Sequence, residues 1–102
     1  MGHSIRRNNM TQKIQIRAEI TGRVQGVFFR ARTKTEADRI GIKGWVRNRP
    51  DGTVEAIFEG DPETVSQMVD WCKKGPSLSR VDHVYIEALK NLSNFQTFDI
   101  LH

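Results

Sequence analysis

The spacing of apolar residues changes several times along this chain, and the order of those changes limits the possible folds more than any other feature. Four segments alternate apolar and polar residues, which is typical of half-buried strands: residues 13–21, 44–48, 53–59 and 80–89. Two further segments, 28–40 and the stretch between Asp61 and Gly75, have the apolar spacing of amphipathic helices. Residues 95–101 are predicted to form a short closing strand.

Turn and cap residues separate these segments. Asp61 and Pro62 suit the start of the second helix, and Gly75 with Pro76 suits its end. The run RPDG at 49–52 predicts a turn that joins two strands into a hairpin. The resulting order is βαββαβ plus a short C-terminal edge strand. It predicts an α+β fold of the split βαβ type, an antiparallel sheet with two helices on one face.

The length of 102 residues allows one domain with a modest core. Residues 1–12 have no apolar periodicity, so we expect a flexible N-terminal tail before a folded domain at 13–102. The tail lacks the apolar stretch of a signal peptide, and no apolar run is long enough to span a bilayer. We therefore expect a cytoplasmic protein without a membrane partner.

Residues that usually support metal or covalent chemistry are few. The three histidines, His3, His83 and His102, have no partners at ligand spacing, so a metal site is not expected. The single cysteine, Cys72, cannot form an intrachain disulfide and is predicted to be a small buried apolar residue on a helix. No serine nucleophile motif is present.

One loop carries a chemical signal. Residues 22–30 (GRVQGVFFR) join the first strand to the first helix. Glycines allow the backbone to turn its N–H groups inward around an anion, and the helix N-terminus adds free donors and a positive dipole end. Arg30 adds a charge and a planar fork that matches two phosphate oxygens. A tight turn with a solvent-facing arginine is the alternative.

Asn48 is the second candidate, because it ends the second strand just before the RPDG turn. Asparagine is common at such positions, so a turn-initiating role is the alternative. In a split βαβ fold the first and second strands are not far apart, and Asn48 can then lie near the glycine loop.

Both regions carry longer motifs. They are Gly22-x-Val24-Gln25-Gly26-Val27-x-Phe29-Arg30 and Gly44-Trp45-Val46-Arg47-Asn48-x-x-x-Gly52-x-Val54, the latter closing with Gly60. The two resemble the two signatures of the acylphosphatase family, and the resemblance covers about residues 13–101. It implies a ferredoxin-like fold and an enzyme that hydrolyses acyl phosphates to a carboxylate and inorganic phosphate, a hydrolase acting on acid anhydrides.

The resemblance also implies roles for individual residues. By position, Arg30 binds the phosphate and Asn48 places the attacking water. Backbone N–H groups form the phosphate cradle, from Val24, Gln25, Gly26, Val27, Phe28, Phe29 and Arg30. We expect no cofactor and no metal, a small acyl phosphate as substrate, and inorganic phosphate as both product and inhibitor.

A binding module without catalysis is the main alternative. The net charge of +4 suggests nucleic acid, and RNA-recognition domains share this element order. Those domains need basic and aromatic residues on the third strand, which here is TVEAIFE, with two glutamates and one aromatic residue. We therefore expect no nucleic acid partner, and the intact motifs argue against a purely regulatory role. We expect the enzyme to be a monomer.

Overall fold

The computed structural model describes residues 12–102, in which two helices pack on a five-stranded sheet. The elements in chain order are β1 (Ile14–Arg23), α1 (Phe29–Ile40), β2 (Lys43–Asn48), β3 (Val54–Gly60), α2 (Pro62–Lys74), β4 (Arg80–Leu89) and β5 (Phe98–Leu101). The expected flexible tail lies outside the described residues, apart from Gln12, which is exposed and belongs to no element.

The strand order across the sheet is β4-β1-β3-β2-β5. β1 pairs antiparallel with both β3 and β4, and β3 pairs antiparallel with β2. Neither neighbour of β1 is β2, the next strand in the chain. Each helix carries the chain past one strand position before the next strand is added. This arrangement confirms the predicted split βαβ fold of α+β class.

The direction of β5 differs from the expected all-antiparallel sheet. β5 runs parallel to β2, so the sheet is mixed. The physical reason is the route of the chain: β4 ends at the edge beside the start of β1, and residues 90–97 then cross to the opposite edge of the sheet. A strand that begins at that end must run in the same direction as β1 and β2.

The core lies between the sheet and the two helices. In β1 and β3 the inward residues face each other across the ladder, with Ile16 opposite Phe58, Ala18 opposite Ala56 and Ile20 opposite Val54. The helices contribute the buried residues Phe29, Thr33 and Ala37 from α1 and Val65, Met68 and Cys72 from α2. Burying each large apolar side chain contributes about 1.5–3 kcal/mol, so this face holds the layers together. The prediction for Cys72 is confirmed, since it is fully buried.

The alternating apolar residues of β4 are less buried than their sequence pattern predicts. Val84 is half-buried, whereas Ile86 is 45% exposed and Ala88 is exposed. β4 is an edge strand that pairs with β1 alone, and α2 contacts it as well as β1 and β3. These contacts leave Ile86 and Ala88 exposed.

A carboxylate fixes the connection between β4 and β5. Glu59, near the end of β3, accepts hydrogen bonds from the backbone N–H groups of Ser93, Asn94 and Phe95 at 2.8, 3.2 and 2.8 Å. Gln15 Nε2 donates a fourth bond at 2.9 Å. Burial alone would raise the pKa of the Glu59 carboxyl, but these donors together hold that pKa below its ordinary value. They also keep residues 93–95 out of strand pairing, so β5 begins at Phe98 instead of residue 95.

We expect Glu59→Gln to lower the free energy of unfolding by about 2 kcal/mol at neutral pH, because a neutral amide replaces the charged acceptor. A lowered pKa means that the folded state favours the ionised carboxyl. Its contribution is therefore present above the ordinary pKa of 4.5 and is lost as the pH falls through the folded-state pKa. Denaturant melts should show the difference from wild type shrinking between neutral pH and about pH 3.

Glu87→Gln is the matched control, because this side chain is 65% exposed and lies 3.9 Å from Arg17 in its ion pair. It should change the free energy of unfolding by less than about 0.5 kcal/mol. If the difference in free energy of unfolding between wild type and Glu59→Gln stayed constant in acid, the ionised Glu59 carboxylate would not be what fixes residues 93–95.

Candidate active site

The loop between β1 and α1 has the backbone geometry of an anion-binding nest. Gly26 has φ 73° and Phe28 has φ 64°, both left-handed, while Val27 between them has no positive φ. Alternation of this kind points successive backbone N–H groups to the same side, where they surround an anion. A left-handed conformation is unfavourable for a phenylalanine, and such strain concentrates at functional sites.

Apolar side chains anchor this loop while its backbone remains at the surface. Val24, Val27 and Phe29 are 1%, 7% and 2% exposed, so the core holds three of the loop residues. The Phe29 ring also packs edge-on against Trp71, with ring centroids 5.9 Å apart. With the side chains fixed inward, the peptide groups between them are held in one conformation at the protein surface.

The N–H donors of the loop and of the first turn of α1 are free to bind a ligand. No side chain caps α1, and the Arg32 N–H to Phe28 carbonyl bond, at 3.0 Å, marks where helical hydrogen bonding begins. Within residues 12–102 no backbone carbonyl accepts a hydrogen bond from the N–H groups of residues 26–31. A helix start of this kind favours an anion through both its donors and its dipole.

Arg30 and Asn48 line the same cleft, which has a volume of about 340 Å³. Gly26, Phe28 and Phe29 of the loop also line it. The expected convergence of the loop with the end of β2 is therefore present. Arg30 is half-buried in the first turn of α1, and its Nη1 donates to the Leu101 carbonyl of β5 at 3.1 Å. The Arg30 guanidinium therefore contacts β5 as well as lining the cleft.

Asn48 does not behave as a turn-initiating residue. Its Oδ1 is buried and has no hydrogen-bond partner among the described residues. The turn is closed by other groups, since Gly52 N–H donates to the Arg49 carbonyl and the backbone N–H and the Oγ1 of Thr53 donate to Asp51 Oδ1. A buried oxygen without a partner is costly, and Asn48 is among the residues that line the cleft.

Gln25 has a role that its position in the motif does not reveal. Its Nε2 donates to the carbonyls of Arg49 and Thr53, both at 2.8 Å, so the side chain ties the loop to the β2–β3 hairpin. The backbone of Gln25 belongs to the loop as expected, but its side chain points to the hairpin. Sequence spacing carries no signal for this contact, because the partners are carbonyls more than twenty residues away.

We expect Gln25→Ala to lower kcat by about tenfold. The variant loses the hydrogen bonds from the loop to the β2–β3 hairpin, which hold the loop and Asn48 at a fixed separation. The free energy of unfolding should fall by about 1–3 kcal/mol, since two carbonyls lose their donor. Steady-state kinetics and a denaturant melt measure the two effects. Gln67→Ala, an exposed position on α2, is the control and should leave both unchanged. Wild-type kinetics for Gln25→Ala would contradict the proposal that this side chain positions the loop relative to Asn48.

One buried carboxylate on β3 contacts three arginines from the neighbouring strands and turn. Glu55 is 5% exposed and accepts from Arg17 Nε and Arg47 Nε, and Arg49 Nη1 lies 3.5 Å away. Burial tends to raise the pKa of Glu55, but its arginine partners outweigh that effect and hold the pKa below its ordinary value. None of these three arginines lines the cleft, and Arg30 is the arginine among its lining residues.

Other chemistry finds little support in the described part of the chain. Residues 12–102 contain no cluster of three His, Cys, Asp or Glu side chains that suits a metal ion. Burial raises the pKa of the Cys72 thiol to about 12, so it is not a thiolate nucleophile. None of the described helices has the length and apolar character needed to cross a membrane.

Comparison with known proteins assigns the chain to a family. The family model described as Acylphosphatase matches residues 16–100. The chain is 51% identical to an acylphosphatase of Rubrobacter xylanophilus over 76 residues, and this match covers 74% of this chain and 69% of that protein. It is 52% identical to an acylphosphatase of Syntrophobacter fumaroxidans over 81 residues, and this match covers 79% of this chain and 84% of that protein.

Solved structures agree. The crystal structure of an acylphosphatase from Bacillus subtilis matches with a TM-score of 0.85 and 36% identity, over 87% of this chain and 99% of that one. The resemblance inferred from the two motifs is therefore confirmed. This chain belongs to the acylphosphatase family and is an enzyme that hydrolyses acyl phosphates.

Proposed function

We propose that the enzyme hydrolyses acyl phosphates by direct in-line attack of a water that Asn48 positions, on a phosphoryl group held by Arg30 and the loop N–H groups. The observation that carries this proposal is the buried Asn48 Oδ1, which has no partner among the described residues and belongs to a residue that lines the same cleft as the nest and Arg30. Each of these features supplies one part that the reaction requires.

The phosphoryl group occupies the concavity of residues 24–30. Its oxygens accept hydrogen bonds from the free backbone donors at the start of α1, and Arg30 supplies the compensating charge. Phosphoryl transfer passes through a loose transition state with charge spread over three equatorial oxygens. Donors fixed in advance around those oxygens stabilise that state without rearranging.

Asn48 acts on the water. A carboxamide is not basic at neutral pH, but its oxygen accepts a hydrogen bond and so holds the water on the side opposite the leaving group. The water oxygen forms a bond to phosphorus while the bond from phosphorus to the acyl oxygen breaks. The carboxylate leaves with that electron pair, and the proton of the water passes to an oxygen of the phosphoryl group.

The leaving group explains why so few side chains are needed. A carboxylate is stable without a proton, so no general acid is required, and the loose transition state places little demand on a strong base. The same reasoning supports metal-independent catalysis and competitive inhibition by inorganic phosphate, which binds where the phosphoryl group binds. We propose further that the enzyme is a cytoplasmic monomer that binds neither nucleic acid nor membranes.

The test is an assay of the purified protein on benzoyl phosphate in excess EDTA, with p-nitrophenyl phosphate as the comparison substrate. We expect rapid turnover of the acyl phosphate, undiminished by EDTA, and negligible turnover of the monoester, because the described lining of the cleft supplies no metal site or carboxyl side chain to assist a poorer leaving group. Comparable turnover of the monoester would overturn the mechanism. Activity lost to EDTA and restored by a divalent ion would overturn metal independence.

A further inference from the structure

We propose that the exposed ring of Phe28 recognises the acyl part of the substrate, so that the enzyme prefers acyl phosphates whose acyl group is flat and apolar, such as an aromatic one. The proposal rests on the function proposed above, because it takes the phosphoryl group to be held by the loop. It gives a role to a side chain that the first motif leaves open, since residue 28 is one of its two unspecified positions.

Phe28 differs from the other apolar residues of the loop in where its side chain lies. Its neighbours Val27 and Phe29 are buried in the core, whereas Phe28 is 70% exposed. Its backbone has φ 64°, a left-handed conformation that glycine and asparagine adopt more easily than phenylalanine. Neither core packing nor backbone conformation therefore explains a phenylalanine at this position.

The cleft has apolar surface in addition to its phosphate-binding groups. Phe28 lines it together with Ala31 of α1, and the segment that ends β5 adds Ile100 and His102. Ala31 is exposed and Ile100 is half-buried, so both leave apolar surface accessible beside the ring. The volume of about 340 Å³ is within the range of sites that hold a whole small molecule. A phosphoryl group in the loop therefore leaves an apolar part of the lining free for the group attached to it.

The direction of the reaction brings the acyl group to the outer part of the cleft, where Phe28 lies. In-line attack puts the acyl group on the side of phosphorus away from the water, which Asn48 positions in the proposed mechanism. The Asn48 oxygen is buried, whereas Phe28 is largely exposed. The carboxylate product also has to reach solvent, so the acyl group extends past the exposed ring.

The chemistry of an aromatic ring determines which acyl groups gain from this contact. Two flat rings attract each other in offset or edge-on arrangements, and both remove apolar area from water. A benzoyl group offers such a ring, directly attached to the carbonyl carbon. An acetyl group offers a single methyl group, so it gains much less. Phe28 thus favours the aromatic acyl phosphate of the two.

Non-hydrolysable analogues test the contact without turnover. Phenacylphosphonate and acetonylphosphonate carry a methylene group in place of the bridging oxygen of benzoyl phosphate and acetyl phosphate, so the two differ only in the acyl substituent. We expect wild type to bind phenacylphosphonate more tightly, and Phe28→Gly to lower the ratio of the two affinities by about three- to tenfold, the scale of one aromatic pair. Calorimetric titrations give both affinities. The ratio of kcat/KM for benzoyl phosphate to that for acetyl phosphate should fall by the same factor.

The ratio removes any effect of the substitution on the phosphate cradle, because that effect is common to both analogues. Glycine adopts the left-handed conformation without strain, and Phe28→Asn is a second variant without the ring that also tolerates it. Phe28→Tyr keeps the ring and should keep the ratio within about twofold of wild type. Leu78→Ala removes an apolar side chain that is 62% exposed and lies outside the cleft lining, so it should leave the ratio unchanged.

The outcomes separate this inference from the function on which it rests. A ratio that falls in Phe28→Gly and Phe28→Asn but not in Phe28→Tyr supports recognition by the ring. A ratio that stays at the wild-type value in both variants without the ring would overturn that role, whether or not the two affinities fall together. If Arg30→Ala bound acetonylphosphonate as tightly as wild type does, the phosphoryl site of the proposed function would be wrong, whatever the result at Phe28.

Discussion

Arg30→Ala should lower kcat/KM for an acyl phosphate by about 1000-fold or more, the scale of removing a charged group that stabilises a phosphoryl transition state. The guanidinium is the permanent charge in the cleft, and the neighbouring arginines are already paired with Glu55. Its loss leaves the phosphoryl charge to backbone donors alone. The inhibition constant for inorganic phosphate should rise by about tenfold, because the same contact exists in the bound ground state.

Arg30→Lys should not restore activity. An ammonium has no planar fork, and it cannot contact the Leu101 carbonyl and two phosphate oxygens from one position. The measurements are steady-state kinetics and phosphate inhibition for both variants. Arg32→Ala removes an exposed arginine from the same helix, two residues away, and should remain within about twofold of wild type. Near-normal activity of Arg30→Lys would show that the arginine is not a phosphate ligand.

Asn48→Ala should lower kcat by about 100-fold or more while the inhibition constant for inorganic phosphate stays within about threefold. In the proposed mechanism the Asn48 oxygen contacts the water and not the phosphoryl group, so its loss should affect the chemical step alone. This pattern distinguishes it from Arg30, whose loss weakens binding and turnover together.

Stability measurements distinguish a water-positioning role of Asn48 from a structural role. The Asn48 oxygen has no hydrogen-bond partner in the described structure, so its removal should change the free energy of unfolding by less than about 1 kcal/mol. A denaturant melt checks this value, and Asn91→Ala, at an exposed position, controls for the loss of an asparagine elsewhere. If Asn48→Ala folds normally and keeps most of its kcat, Asn48 does not position the water.

Local sequence was sufficient for the elements, the fold class and the family. Alternation in residues 13–21 and 53–59 reflects which side of a strand meets the core, and that side is a property of each strand by itself. The positions of both helices follow from caps and periodicity in the same way. The two motifs also identified the loop and Asn48, because chemistry that uses backbone donors depends on a contiguous segment such as residues 24–30.

Contacts between distant segments were decided by the tertiary structure. Alternation does not report strand direction, so the parallel pairing of β5 with β2 depends on the route of residues 90–97 across the sheet. Nor does it report which strand lies at an edge, so the exposure of Ile86 was not expected. The tie from Gln25 to the hairpin and the clamp at Glu59 join groups more than twenty residues apart.

The candidate site was likewise predicted in part from the sequence and completed by the tertiary structure. Motif spacing predicted Arg30 and Asn48, whereas His102 lies outside both motifs and reaches the cleft only because β5 runs parallel to β2. Sequence patterns record the local environment of each residue, while partners in space depend on the order in which the whole chain assembles its strands. The sequence by itself therefore determined most of the elements and the family and predicted the two site residues, and the fold decided what surrounds them.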